Sequence, residues 1–200
     1  MKMMRTSSRA SRVIIMTKTT KMIFISLIVA QALVLHVLEG MIPLPIGIPG
    51  AKLGLANIFT IISLYILGFK STVLVVGLRV LLATMFGGTL SSFLYSISGG
   101  FFSLLAMTLV KNIFRDKVTI LGVSGAGAVS HNIGQLVVAS LIVNNWSVMM
   151  YLPVLTFIGI GTGIFIGIAA NFIIYHMSKI TAIKKISQLR EWEIFGHNKS

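Results

Sequence analysis

Seven polar side chains stand where an otherwise apolar chain places groups capable of chemistry: Glu39, Lys52, Asn57, Arg79, His131, Asn132 and Gln135. The last three fall within five residues, inside a long apolar run. At helical spacing Gly127, His131 and Gln135 form one stripe, with Ser124, Ala128 and Asn132 beside it. Amide and imidazole groups at bilayer depth are costly unless they meet partners, water or a ligand. Two readings stay open for them, hydrogen bonding between helices or the wall of a cavity. Next to them Gly122, Ala126, Ser130 and Gly134 make a small-residue ridge of the kind that admits a second helix backbone. That ridge is expected to be the packing side, leaving the His131, Asn132 and Gln135 side for a ligand. Arg79 sits mid-run, where it either snorkels to a helix end or faces the interior and pairs with Glu39 or an anion. Lys52 follows Pro49-Gly50-Ala51 and is either an interfacial lysine or a group folded over a ligand mouth, with Asn57 about one turn further on.

What is missing narrows the chemistry. The only acids are Glu39, Asp116, Glu191 and Glu193, too few and too scattered for paired acid–base catalysis or an Mg²⁺-diphosphate cluster. No GxxxxGK[ST] loop is present, so any ATP-driven role needs another subunit. There is no cysteine, and the four histidines, His36, His131, His176 and His197, lie on separate elements. We therefore expect no enzyme activity, no cofactor and no metal site.

The elements that must carry these residues are membrane helices. Hydrophobic residues make up 56% of the 200-residue chain and charged residues 10%, with a mean hydropathy of +0.95. Apolar runs of about 18 residues or more recur, as in a polytopic helical membrane protein. The net charge of +13 does not indicate a nucleic-acid partner, because basic residues flank apolar runs instead of forming a patch interleaved with aromatics. The chain divides into a basic segment 1–21, a membrane domain 22–178 and a basic amphipathic tail 179–200, which reads as an interfacial helix. The first apolar run follows a basic segment but no small-x-small cleavage site, so it reads as an uncleaved span. Six spans are expected, near 22–38, 53–68, 71–86, 95–110, 118–143 and 150–176. A weak point is expected at Gly99-Gly100 and a close-packing ridge at Gly159, Gly163 and Gly167. An apolar loop over 41–50 holds three of the four prolines. With the N-terminus inside, 15 of the 17 basic residues fall in inner segments, which predicts N-in and C-in. The location that follows is a cell membrane, crossed several times.

Three segments carry a resemblance: Gly50-Ala-Lys-Leu-Gly-Leu-Ala-Asn-Ile58, Gly88-Thr-Leu-Ser-Ser-Phe-Leu-Tyr-Ser-Ile-Ser-Gly-Gly100 and Ser130-His-Asn-Ile-Gly-Gln135. Over about residues 20–178 the chain resembles the Gx transporter family, also catalogued as heptaprenyl diphosphate synthase component I. That family in turn resembles the substrate-binding S components of energy-coupling factor (ECF) transporters. The resemblance implies a six-helix, N-in and C-in bundle that binds a small molecule from outside and works with a coupling membrane subunit and two ATPases. It implies substrate contacts at Lys52, Asn57, His131, Asn132 and Gln135, with Glu39 and Arg79 as neighbours. Here Ser26 and Ala30 stand where S components commonly carry an alanine-x-x-x-alanine docking stripe. The synthase description implies the alternative, a non-catalytic membrane component of a polyprenyl diphosphate synthase, since the acids for catalysis are missing.

Overall fold

In a computed structural model the chain is described over residues 4–41, 52–86 and 88–178, with side chains from residue 19 onward apart from that of Asp116. The expected proline-rich loop, the interfacial tail and Gly87 lie outside the described residues. Six helices make up the described fold, with no strand among them: α1 (Met4–Gly40), α2 (Asn57–Ile66), α3 (Phe69–Met85), α4 (Leu90–Phe114), α5 (Ile120–Val143) and α6 (Leu152–Ser178). Short 3₁₀ turns, Arg115–Lys117 and Trp146–Tyr151, lead into α5 and α6.

Polar side chains set the helix boundaries. The Thr89 and Thr119 hydroxyls accept from the backbone N–H groups of Ser92 and Gly122, capping α4 and α5. Asn144 closes α5 in the left-handed conformation that asparagine tolerates better than most residues. Pro153 occupies the first turn of α6, where its missing N–H leaves no helical bond unmade. Gly68, at a φ of 80°, makes the tight turn between α2 and α3.

Four stretches are long and apolar enough to cross a membrane: Thr19–Gly40, Leu90–Phe114, Ile120–Val143 and Trp146–Met177. The expected second and third spans differ from this. α2 has 10 residues, about 15 Å of helix, and so reaches only half of a ~30 Å hydrocarbon core. It is buried nearly all round and touches each of the other five helices, so it is the centre of the bundle. α3, at 17 residues, is just under the crossing length. α1 also departs from expectation, since the helix begins at Met4 and takes in most of the basic segment.

Packing around α5 depends on glycine. A Cβ on Gly163 would lie 2.7 Å from the Gly125 Cα, and one on Gly167 would lie 2.8 Å from the Leu121 Cα. The Gly159, Gly163 and Gly167 ridge therefore seats α6 against α5. On the other side, Gly127 accepts Met107 of α4, and Gly134 abuts the Ser98 backbone. The predicted packing stripe on α5 is thus corrected. Of its members only Gly134 is buried, while Ala126 and Ser130 are half-buried and Gly122 is exposed. No break occurs at Gly99-Gly100, and α4 runs through both.

Polarity is distributed inside out relative to a water-soluble bundle. Leu105, Leu109, Ile113, Ile160, Ile164, Phe165, Ile168 and Phe172 are exposed, while Glu39, Asn57, Arg79, His131, Asn132 and Gln135 are buried. An apolar surface of that extent fits a membrane protein.

Candidate functional site

The chain after residue 51 turns back against α1 and α5 at Gly54. Gly54 has a φ of 82°, and a Cβ there would lie 3.0 Å from the His131 ring and 3.1 Å from the Asn57 amide nitrogen. Both the backbone conformation and the space therefore require glycine. The Glu39 carboxylate, at the end of α1, accepts from the backbone N–H groups of Gly54 and Leu55, the second at 3.2 Å. The Lys52 N–H donates to Gln135 Oε1 at 3.1 Å. These bonds fasten residues 52–56 over the polar face of α5.

Under this segment lies a cavity of about 10 Å³ lined by His36, Glu39, Lys52, Gly54, Ala56, Arg79, Ser96, His131 and Gln135. Such a volume holds about one water molecule. It lies toward the end of the bundle remote from Lys111 and the Arg115–Lys117 turn, since Glu39 is at the end of α1 and Ser96 lies in the first half of α4.

Hydrogen-bond direction assigns the histidines. Gln135 Oε1 is taken by the Lys52 N–H, so its Nε2 faces His131 Nε2, 2.6 Å away, and donates to it. His131 therefore accepts at Nε2 and is neutral with its proton on Nδ1. The Lys52 ammonium likewise donates to His36 Nε2 at 2.7 Å, and its second contact is the His36 carbonyl at 3.4 Å. Both imidazoles act as acceptors. Burial pushes the Lys52 ammonium below the ordinary lysine pKa; Glu39 opposes that shift and Arg79 adds to it.

Arg79 is 2% exposed and lines the cavity from the middle of α3. Its Nε has no hydrogen-bond partner, and the guanidinium makes no ion pair among the described residues. Snorkelling and a bond to helix-end carbonyls are both absent for it. Gly100 gives room to Val76 of α3, whose Cγ1 would stand 2.9 Å from a Cβ there, and Gly99 does the same for the His131 ring, 2.7 Å away. The glycine pair expected to weaken α4 instead lets α4 approach these two side chains.

The structure thus gathers Glu39, Lys52, Arg79, His131 and Gln135 around one space. Asn57 stands beside it, fully buried, with neither side-chain polar atom bonded. Asn132 is turned away, donating to the Leu155 carbonyl of α6 at 2.7 Å and packing against Gly159. It serves the α5–α6 contact. Sequence reasoning did not place His36, Ser96 and Ala56 in the site. For His36 a signal existed, since it precedes Glu39 by one helical turn on the same face. No cluster of three or more metal-ligating side chains occurs among the described residues.

A family model described as heptaprenyl diphosphate synthase component I matches residues 28–173, a stretch that contains every residue of the cavity wall. No curated protein and no solved structure matches the chain.

Proposed function

Because the chain belongs to the heptaprenyl diphosphate synthase component I family, we propose that it is a non-catalytic membrane subunit that binds a small molecule. In this reading it is a substrate-binding subunit of the ECF S-component type, crossing a cell membrane with both termini inside. A coupling membrane subunit and ATPases would supply the energy. The observation that carries the reading is the placement of Arg79, a cation with no ion pair among the described residues, on the wall of a cavity together with Lys52, Glu39, His131 and Gln135. A bundle that needed only to pack would not leave a desolvated guanidinium without a partner. Ligand contact falls to these five residues, with His36 added and Asn57 beside them; Asn132 drops out because Leu155 holds it. With room for about one water, the cavity admits a ligand only when residues 52–56 lift from α5, breaking the bond between Lys52 and Gln135.

The family description favours a second reading, a membrane component that accompanies a polyprenyl diphosphate synthase. Among the described residues no acidic cluster of the kind that Mg²⁺-diphosphate chemistry needs is assembled, and this reading too takes the chain as an accessory component.

Affinity isolation of the full-length chain from its native membrane separates the two readings. Recovery of ATPase subunits with a bound small molecule is the expected result. Recovery of a soluble prenyl synthase instead, whose product formation changes when this chain is removed, would overturn the lead reading in favour of the second. A His131→Ala, Gln135→Ala double variant tests the site itself. It should lose at least tenfold in ligand retention while still folding; unchanged retention would reduce both residues to packing.

A further inference from the structure

The charges around the cavity do not balance, and the imbalance names a ligand class. Arg79 and Lys52 bring two positive charges and Glu39 one negative, while His36 and His131 are held as neutral acceptors. Neither cation forms an ion pair with Glu39, whose Oε1 is occupied by the N–H groups of Gly54 and Leu55. Arg79 is almost wholly buried, lines the cavity, and is unpartnered at Nε among the described residues. A planar guanidinium presents parallel N–H donors that match the two oxygens of a carboxylate. The space in front of it takes about one water, which suits a compact head group and not a bulky one.

We propose that this cavity is the head-group slot for a ligand carrying a single carboxylate, held by the Arg79 fork and by the Lys52 ammonium. The proposal rests on the binding-subunit reading above and specifies what is bound. One carboxylate cancels the one uncompensated positive charge, whereas a diphosphate would bring more negative charge than the wall can neutralise. Glu39 then acts as a charge filter. It fastens residues 52–56 and, by subtracting one charge from the slot, discriminates against multiply charged anions.

Two measurements on the full-length chain in lipid nanodiscs test this. Native mass spectrometry of the freshly isolated protein should show a small molecule with one carboxylic acid, reduced at least tenfold in Arg79→Gln and kept in part by Arg79→Lys. A retained molecule without an acid group, or one bearing a diphosphate, overturns the carboxylate assignment and leaves the binding-subunit reading standing. In the second measurement, acetate and inorganic diphosphate are titrated against the protein stripped of ligand while its thermal midpoint is followed. Acetate should raise the midpoint of the wild type and not that of Arg79→Gln, and Glu39→Gln should shift the preference toward diphosphate. Should Arg79→Gln fail to fold, the Glu39→Gln comparison decides alone. An inert acetate, or a wild type that prefers diphosphate, overturns the proposal. If in addition nothing is retained, the binding-subunit reading falls with it.

Discussion

Gln135 serves two neighbours through one amide, accepting from the Lys52 N–H and donating to His131 Nε2. Gln135→Ala leaves both groups unsatisfied, at about 1–3 kcal/mol for each buried one. The thermal midpoint should therefore fall well beyond what the lost packing explains. Gln135→Glu keeps an acceptor for the Lys52 N–H but can bond His131 only if the imidazole proton moves to Nε2 from Nδ1, which has no partner among the described residues. A midpoint equal to wild type would therefore show that His131 changes tautomer in the variant. Lys52 supports a prediction about pH. Burial lowers its pKa, so its positive charge is lost below the ordinary lysine value of 10.5 as pH rises. Retention of an anion should decline with a midpoint under that value, and Lys52→Arg, which stays charged, should flatten the profile. The polar residues announced themselves in the sequence because each is expensive in an apolar run. Which of them share a space did not follow from one-dimensional spacing. Asn132 and His131 are adjacent in the chain, yet one bonds to α6 and the other faces the cavity.

At the scale of elements, the four long helices were legible because eighteen or more apolar residues in a row leave few alternatives. α2 was harder to read for the same reason. A short apolar run looks like a span whether it crosses lipid or sits inside protein, and only its tertiary surroundings distinguish the two. The double glycine of α4 was misread as a weak point because a missing side chain marks flexibility or close approach equally well, and Val76 and His131 show it to be the latter. The same geometry predicts a contrast within α6. Gly163→Ala must push back the Gly125 backbone, 2.7 Å from the new Cβ, whereas a Cβ at Gly161 meets nothing within 4 Å. We expect Gly163→Ala to destabilise by about 1–3 kcal/mol through overpacking. Gly161→Ala should be neutral or stabilising, by up to about 1 kcal/mol from helix propensity. Denaturant titration in mixed micelles measures both, and equal effects would mean that Gly163 does not seat α6 against α5.

For the whole molecule, charge and polarity point the same way. Basic residues gather at one end of the bundle, at Lys111, Arg115 and Lys117, and the cavity lies toward the other. Under the positive-inside rule that basic end is expected in the cytoplasm, which would put the cavity on the outer side, where the proposed uptake role needs it. The absence of cysteine gives a clean background for testing this orientation. A single cysteine at exposed Trp146, in the turn between α5 and α6, should react with a membrane-impermeant maleimide on intact cells. One at exposed Lys117, in the turn between α4 and α5, should react only after the membrane is opened. The two sites bracket α5, so their opposite labelling would also establish that α5 crosses the membrane. Labelling of Lys117→Cys on intact cells with protection of Trp146→Cys would invert the molecule. The cavity would then lie toward the cytoplasm, and an uptake role would give way to the reading in which the chain serves a cytoplasmic synthase.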